Sequence, residues 1–200
     1  MMLLEKENKM SKVKFSIKNL QISPIENIDD SGVPTYGSPV KCAGAVSLSL
    51  DASGESTVIY ADGGAYATVA SGSGYTGTLE TYGFPTAILK DIFGYEEDSN
   101  KNIVEVQSVT KEFGLQFECD NEDGYTTRFT IYRASATKPN LALNTTEDSP
   151  TVNTTSVDLT VSAVSTADGT KKIIKGWAEH DADNFGKYFE QITLPTFATV

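Results

Sequence analysis

The chain has 200 residues, 39% of them hydrophobic and 10% aromatic, and its 27 acidic residues outnumber its 16 basic residues. This size and composition predict one soluble globular domain with a sizeable core. The net charge of −11, with no basic stripe along the chain, argues against a protein that grips nucleic acid through its phosphates.

Residues 1–13 are predicted to form a flexible arm ahead of a single domain at 14–200. Glu5 and Glu7 interrupt the apolar region that a signal peptide requires, so export is not expected, and Met10 is a second candidate start. No apolar run has the length of a membrane-spanning helix.

Strand patterns dominate the first third of the domain. Lys14 to Ile25 alternates apolar and polar residues, apart from a slip near Asn19 that predicts a bulge or bend. A loop from Glu26 to Pro39 is rich in Gly, Pro, Asp and Ser. Ala43 to Asp51 alternates again, and Thr57 to Ala61 is predicted to pair with Tyr66 to Ala70 as a hairpin.

One helix is predicted, at about residues 85–93. Pro85 suits a first-turn position, and the apolar side chains at 88, 89, 92 and 93 share one face at helical spacing. Gly94 is predicted to end the helix as its C-terminal cap. The apolar stripe needs a sheet to cover.

Strand patterns resume after an acidic loop at Tyr95 to Lys101, with an extended connection at Lys138 to Thr151. The predicted strands are Ile103 to Gln107, Phe113 to Cys119, Tyr125 to Thr137, Val152 to Val164, Lys171 to Trp177 and Lys187 to Leu194. The predicted fold class is therefore mainly β: two packed antiparallel β-sheets, sandwich- or barrel-like, with one flanking α-helix.

The two cysteines, Cys42 and Cys119, lie far apart in apolar-patterned segments. We expect two buried free thiols made in a reducing cytoplasm, with a single disulfide as the alternative.

Three glycines, Gly72, Gly74 and Gly77, fit the spacing G-x-G-x-x-G. A dinucleotide-binding turn of this spacing must open a helix whose N-terminal N–H groups hold the pyrophosphate. The residues from Tyr75 onward alternate at strand spacing instead. We therefore expect these glycines to permit bending and close approach of another strand or another subunit.

No catalytic, cofactor-binding or metal-binding residue is predicted, and the chain is not expected to be an enzyme. His180 is the only histidine, and no G-x-S-x-G elbow accompanies it. His180, Asp181 and Asp183 lack the Gly and terminal Glu of a calcium loop, so a solvated acidic turn is favoured over a metal site. Trp177 is expected at a packing or interface position.

The chain resembles the phi13-type phage major tail proteins, which are tail tube proteins of siphophages. The resemblance lies in TYGSPVKCAGAVSLSL, STVIYADGGAYATVASGSGYTGTLE, TRFTIYRASATKPN, TTEDS and YFEQITLP, in this order and spacing. It extends from about Lys14 to Thr196, and YADG followed by G-Y-x-G is its most specific part.

This resemblance implies a structural subunit of a long, non-contractile tail, encoded by a phage or prophage and assembled in the host bacterial cytoplasm. Six copies would form a ring, and stacked rings would form a hollow tube through which the genome is ejected. The implied partners are other copies of the chain, a tape-measure protein, tail terminator and initiator proteins, and double-stranded DNA in transient, non-specific passage. No membrane, cofactor or catalytic residue is implied.

A bore that lets DNA slide should be polar and should not bind phosphates, because fixed negative charge keeps a hydrated layer against the DNA backbone. Three alternating strands offer such faces, with solvent-facing positions of a monomer as the alternative. The predicted bore-lining residues are Ser47, Ser49, Thr76, Thr78, Glu80, Asp158, Thr160 and Ser162. The opposite faces, which are predicted to be buried, carry Val46, Leu48, Leu50, Tyr75, Leu79, Leu159 and Val161.

Contacts between stacked rings require segments that extend from the domain. The loop from Glu26 to Pro39 is the predicted stacking loop, together with the arm at 1–13; Tyr95 to Lys101 and Lys138 to Pro150 are secondary candidates. Prolines stiffen such extensions and reduce the entropy lost on docking. Ordinary mobile loops are the alternative. The stacking residues predicted within the loop are Asp29, Asp30, Pro34, Tyr36 and Pro39.

Three other functions stay open on sequence alone. A tube subunit of the type VI secretion kind would share the fold. A carbohydrate-binding or adhesin β-sandwich would present exposed aromatic residues on one sheet face. A hydrolase is the weakest candidate, because it would depend on His180 alone.

Overall fold

The computed structural model describes residues 13–54, 56–61, 64–70, 74–143, 145 and 152–197. Within these residues the chain is mainly β with one α-helix, which confirms the predicted fold class. The strands are β1 (Lys14–Ile28), β2 (Pro34–Tyr36), β3 (Val40–Lys41), β4 (Ala45–Ser53), β5 (Ser56–Ala61), β6 (Gly64–Ala70), β7 (Gly74–Thr81), β8 (Tyr95–Glu97), β9 (Ile103–Glu105), β10 (Phe113–Asn121), β11 (Thr126–Ala136), β12 (Thr155–Val161), β13 (Val164–Ser165), β14 (Lys172–Ile173) and β15 (Lys175–Glu179); the helix is α1 (Thr86–Asp91).

Nine strands form one antiparallel sheet, which divides at β11. The order along the sheet is β2-β1-β10-β11-β12-β7-β4, with β3 beside β1 and β15 beside β11. The first half of β11 pairs with β15 (Thr127 with Glu179), and its second half pairs with β12 (Ala134 with Val161). The sheet therefore has two branches, one built on β1, β10 and β15 and the other on β12, β7 and β4.

The two branches pack against each other around one core. Leu115 and Ile131 of the first branch belong to the same buried cluster as Leu79 and Leu159 of the second. Each of these side chains is at most 2% exposed, and burial of a side chain of this size contributes about 1.5–3 kcal/mol. The predicted two packed layers are thus the two branches of a single sheet that share β11.

The slip predicted near Asn19 is an irregularity of β1. Its register against β10 shifts between Phe15 and Ile17 and again between Lys18 and Gln21. Ser16 (φ 58°) and Asn19 (φ 49°) both adopt left-handed backbone conformations at these shifts. The irregularity resets which side chains of β1 face the core, so that Leu20 and Ile22 are buried while Phe15 is exposed.

Helix α1 is shorter than its predicted span and covers one side of the core. It begins directly after Pro85, whose carbonyl accepts the N–H of Leu89 at 3.1 Å, and ends before Ile92. Ile88 and Ile92 are each 1% exposed and belong to the main core cluster. Gly94 follows with φ +72°, a conformation that glycine adopts at little cost.

The predicted hairpin of β5 and β6 is present as a two-stranded ribbon. A second ribbon, β8 with β9, replaces the acidic loop predicted at Tyr95 to Lys101. Its turn is closed by Asp98, whose Oδ1 accepts the N–H groups of Asn100 and Asn102, each at 2.8 Å. Hydrogen bonds from the side chain and backbone of Asn102 lower the pKa of the Asp98 carboxyl.

The strand predicted from Lys187 to Leu194 does not form. A 3₁₀ turn spans Phe185–Lys187, and the residues that follow lie without regular structure along β10 and β11. Side chains hold this segment: Gln116 Nε2 donates to the Tyr188 carbonyl, and Thr130 Oγ1 donates to the Tyr188 hydroxyl at 2.7 Å. The alternation of Tyr188 to Leu194 thus reflects packing and not strand pairing.

Both cysteines are free, as predicted. Cys42 is buried, and this burial raises the pKa of its thiol to about 11. Cys119 is only half-buried. No helix within the described residues has the length and apolar character needed to cross a membrane.

Candidate functional site

Seven of the eight predicted bore-lining residues come together on one face of β4, β7 and β12. Their side chains point away from the core and are exposed or half-buried. The seven are Ser47, Ser49, Thr76, Thr78, Glu80, Asp158 and Thr160. Ser162 lies beyond the end of β12, where its backbone N–H donates to the Arg133 carbonyl at 3.1 Å.

Strand register arranges this face in rows across the three strands. Glu80 of β7 stands between Ser47 of β4 and Ser156 of β12. In the next row Thr78 stands between Ser49 and Asp158. Directly paired residues of neighbouring strands share a face at about 4.5–5.5 Å between Cβ atoms, so each row is a continuous polar line.

A third row was only partly identified from the sequence. Asp51 and Thr160 flank Thr76 in this row. Asp51 and Ser156 were not among the predicted bore-lining residues, although the period-2 alternation that selected Ser49 and Asp158 also applies to them. We refer to these nine residues together as the acidic face: Ser47, Ser49, Asp51, Thr76, Thr78, Glu80, Ser156, Asp158 and Thr160.

Hydroxyl groups hydrogen-bond the carboxylates of the acidic face. Ser47 Oγ donates to Glu80 Oε2 at 3.2 Å, and Thr154 Oγ1 donates to Glu80 Oε1. Thr78 Oγ1 donates to Asp158 Oδ1 at 3.3 Å. Each of the two carboxylates is therefore held by a residue of an adjacent strand or segment.

The charge of the acidic face has one sign. Strands β4, β7 and β12 contain no Lys or Arg, and Asp51, Glu80 and Asp158 are their acidic residues. Within these strands Glu80 and Asp158 have hydroxyl partners, and no cation lies on the same strands. A surface of this kind repels phosphate and retains water.

The opposite side of the three strands is apolar, with one exception to the prediction. Leu79, Leu159 and Val161 are buried, and Leu48, Leu50 and Tyr75 are partly buried against the core. Val46 is 38% exposed. The register of β4 against β7 shifts between Ala45 and Ser47, and this shift removes Val46 from the core-facing set.

Two of the predicted close-approach glycines lie where a neighbouring backbone leaves no room for a side chain. A Cβ on Gly77 would lie 1.8 Å from the Ser49 carbonyl oxygen, and one on Gly74 (φ +142°) would lie 2.0 Å from the Val161 carbonyl oxygen. Gly72 lies outside the described residues. Because Gly74 begins a strand and not a helix, the G-x-G-x-x-G spacing lacks the helix N-terminus that a dinucleotide site requires.

The predicted stacking loop has a different structure from the one expected. β1 extends to Ile28 and β2 returns along it, so residues 26–36 form a hairpin. Asp29 caps its turn by accepting the N–H groups of Ser31 and Val33, each at 2.9 Å. The hairpin tip is tied to β13, because the Ser165 N–H donates to the Gly32 carbonyl at 2.9 Å.

This hairpin removes two residues from the predicted stacking surface. Pro34 and Tyr36 are buried in their own subunit, and the Tyr36 hydroxyl donates to the Tyr132 carbonyl at 2.7 Å. Pro39 is half-buried, and Asp29 and Asp30 are exposed at the tip. The physical reason is that Pro34 and Tyr36 alternate with the exposed Thr35 along β2, and that Tyr36 joins Ile25 of β1 in an apolar cluster that the subunit itself covers.

His180 and Trp177, the other two residues considered from the sequence, both contact aromatic side chains. His180 stacks on Tyr125 with ring centroids 3.7 Å apart, and no group of three or more metal-ligating side chains occurs within the described residues. Trp177 is paired with Phe129 across β15 and β11 and is 60% exposed, which places it on the surface and not in the core.

No family model matches the chain, and no curated protein matches it in sequence. A solved structure with a similar course of the chain is described as a "Cryo-EM structure of the anti-feeding prophage (AFP) baseplate, 6-fold symmetrised". The two chains share 13% identity with a TM-score of 0.43, and the match covers 86% of this chain and 100% of the other.

Proposed function

We propose that this chain is a major tail protein, the tail tube subunit of a long, non-contractile phage tail. The observation that carries the proposal is the acidic face: three adjacent strands, ordered in register, with three carboxylates and no basic residue. The resemblance to phi13-type tail proteins over Lys14 to Thr196 suggests the same function and led to the prediction of a bore-lining face. No catalytic step is part of the proposed function.

In the proposed tube, the acidic face of each of six subunits lines the bore. DNA carries one phosphate charge about every 1.7 Å of its axis, so a bore wall with fixed carboxylates keeps the duplex centred in a layer of water. Hydrated carboxylates, together with the hydroxyl groups of Ser and Thr, offer no apolar surface to which a base or sugar would adhere. Such a wall lets DNA pass without holding it.

The proposed ring also uses β4, which ends the strand order of the sheet. Within the part of the chain that the structure describes, β4 pairs only with β7. β4 is nine residues long and contains no Lys and no Pro, the residues that usually protect an edge from pairing with another chain. A neighbouring subunit that pairs with β4 would continue the acidic face around a ring.

The first test is negative-stain electron microscopy of the purified protein at high concentration, together with its mass in solution. Rings or hollow tubes are the expected result. A protein that stays monomeric at all concentrations, and also when tail initiator proteins are supplied, would contradict the proposal.

A second test concerns the acidic face itself. The double variant E80K/D158K should assemble tubes but reduce DNA ejection from phage that carry it, because the bore would then bind phosphate. The matched control is E96K/E122K, which makes the same change of charge at two exposed positions away from the acidic face. Equal ejection by both variants would reject the bore assignment.

The carbohydrate-binding alternative has one observation in its favour. Trp177 is 60% exposed and its ring lies 6.5 Å from that of Phe129, and sugars stack on exposed aromatic rings. A glycan-binding screen tests this alternative: specific binding by the wild type that is lost in W177A would favour it over the tail tube.

A further inference from the structure

An apolar groove opens beside β4, where the two branches of the sheet separate. The chain just before β4 is held against β1, because Val40 of β3 pairs with Ile22 and the Cys42 N–H donates to the Leu20 carbonyl at 2.8 Å. Further along β4 the branches diverge and leave a cavity of about 230 Å³. The groove is lined chiefly by Ile17, Leu48, Leu50, Phe117, Cys119 and Phe129.

The groove is large enough to receive side chains. An apolar cavity of about 150 Å³ already holds a benzene-sized group. Leu48 and Leu50 are packed against the core yet remain partly exposed at the groove. The core of a single subunit is therefore incomplete on the β4 side of the sheet.

Two leucines project on the opposite side of the same branch. The segment after β11 runs along β12, where the Thr137 N–H donates to the Asp158 carbonyl at 3.0 Å and the Asn140 N–H to the Ser156 carbonyl at 3.1 Å. Leu141 and Leu143 follow directly and are 85% and 75% exposed. They are two residues apart, a spacing that lets both enter one apolar surface when the chain is extended; we refer to them as the leucine pair.

The groove and the leucine pair lie at opposite edges of one layer of strands. The order across the layer is β4, β7, β12 and then the segment that leads to the leucine pair. With neighbouring strands about 4.8 Å apart, the two edges are separated by roughly 14 Å. A protruding group at one edge and a complementary groove at the other define a head-to-tail contact between copies, which closes into a ring or continues as a filament.

We propose that the leucine pair of one subunit occupies the apolar groove beside β4 of the next subunit. This inference rests on the proposed tube function and specifies its contact between neighbours within a ring. The occupant is another copy of this chain because both halves of the contact are present on each subunit. The same docking places the segment at 137–140 next to β4 and continues the acidic face from one subunit to the next.

Cys119 provides a direct test, because this native thiol lines the groove. In the variant L143C the introduced thiol should lie beside Cys119 of the neighbouring subunit. A disulfide requires Cα atoms within about 7 Å, so its formation reports contact. Burial raises the pKa of the Cys119 thiol, so oxidation with diamide is carried out above pH 8.5; diamide takes up the two hydrogens that the thiols lose.

The expected result is a ladder of covalent oligomers of L143C on a non-reducing gel. L143C/C119S should give no ladder, and neither should V109C, whose introduced thiol replaces a side chain that is 90% exposed at another site. A short bismaleimide reagent repeats the test for thiols that are close but poorly oriented. If rings or tubes form and neither reagent links L143C, the proposed contact is wrong and the tube function stands.

Other outcomes separate the two proposals further. A ladder from L143C in a protein that never forms rings or tubes would support the contact and contradict the tube. Linkage of Cys119 to L4C and not to L143C would show that the amino-terminal residues fill the groove, and the proposal would be overturned.

A second variant tests the contact without a covalent bond. L141D/L143D alters exposed side chains and should leave the melting temperature of the subunit unchanged. It should raise the protein concentration needed for assembly at least tenfold, whereas V109D should not. Assembly at the wild-type concentration would overturn the proposal.

Discussion

At the scale of single residues, Gly77 holds two strands of the acidic face at their observed distance. A Cβ at this position would lie 1.8 Å from the Ser49 oxygen and 2.8 Å from the Ser49 carbonyl carbon. Both atoms belong to the backbone of β4, so they cannot move aside as a flexible side chain would. The glycine is therefore required by strand spacing and not by a ligand.

We predict that G77A lowers the free energy of unfolding by about 1–3 kcal/mol, the usual cost of forcing extra atoms into a packed region. Thermal denaturation followed by circular dichroism measures this change. The matched control is G186A, because a Cβ at Gly186 meets nothing within 4 Å. Equal melting temperatures for the two variants would contradict the close approach of β4 and β7.

Tyr36 has a buried hydroxyl whose ionisation the fold opposes. Burial, and secondarily the charge of Tyr132, raises the pKa of Tyr36 above its ordinary value of 10.0. Burial likewise raises the pKa of Tyr132 to about 12. The folded chain therefore keeps these protons at a pH where the unfolded chain loses them.

The consequence is a loss of stability in alkali. Below pH 10 both the folded and the unfolded chain keep the tyrosine protons, so the free energy of unfolding does not depend on these groups. Above pH 10 only the unfolded chain loses them, and the free energy of unfolding should fall by about 1.4 kcal/mol per pH unit for each such tyrosine. Y36F should lower the free energy of unfolding at pH 7 by about 1 kcal/mol, because a buried hydrogen bond is lost. Between pH 10 and 12 the free energy of unfolding of Y36F should also fall less steeply with pH than that of the wild type, because one titrating tyrosine has been removed. Urea denaturation across this range measures both effects.

I131V is the control for this experiment, because it weakens the core without removing a titrating group. It should lower stability at every pH and leave the slope unchanged. An unchanged slope in Y36F would show that Tyr36 ionises alike in the folded and unfolded chain.

At the scale of elements, α1 contributes through its buried side and not through its length. It has only six residues, and an isolated helix of this length is unstable in water. Ile88 is 1% exposed within the main core cluster. The helix is therefore held in place by its contact with the sheet.

We predict that I88A lowers the free energy of unfolding by about 2–5 kcal/mol, the range for loss of a large aliphatic side chain from a core. K90A, on the exposed side of the same helix, should change it by less than about 0.5 kcal/mol. Chemical denaturation compares the two. A small effect of I88A would show that α1 is dispensable for the core.

Strands in which apolar and polar residues alternate strictly could be predicted from the sequence. For this reason most residues of the acidic face were predicted correctly to share one side of the sheet. The polar positions of β7 and β12 follow from period-2 spacing alone, and the slip at Asn19 was visible as a break in that spacing. Register shifts were not visible: the one after Ala45 exposes Val46, because a single inserted residue reverses the faces of a strand.

Other elements depend on contacts that sequence does not encode locally. The hairpin that buries Tyr36 is fixed by Tyr132 and Ser165, which lie about 100 residues or more further along the chain. The groove beside β4 exists only because two distant parts of the sheet diverge. Leu48 and Leu50 of its lining were predicted to be buried, but the opening beside them was not predicted.

At the scale of the whole molecule, assembly should depend on salt. Each acidic face carries three carboxylates, and a ring of six would bring eighteen into one bore if the proposed ring number holds. Their mutual repulsion is screened over about 8 Å at 0.15 M salt and over about 3 Å at 1 M. We predict that raising the salt concentration lowers the protein concentration needed for tube formation, as measured by sedimentation.

The variant E80Q/D158N should assemble at low salt as readily as the wild type does at high salt. E96Q/E122Q is the control, because it removes two charges outside the acidic face. Salt dependence that is the same in all three proteins would place the repulsion elsewhere on the molecule.

The pairing of β1 with β10 has a consequence for folding during synthesis on the ribosome. About 85 residues separate the end of β1 from the start of its partner, and a ribosome adds roughly 5–20 residues per second. Several seconds therefore pass between the synthesis of Leu20 and Ile22 and the synthesis of β10, the strand that pairs with β1. In the proposed tube every one of many copies passes through this interval, so chaperones that shield nascent apolar strands should set the yield of soluble subunit.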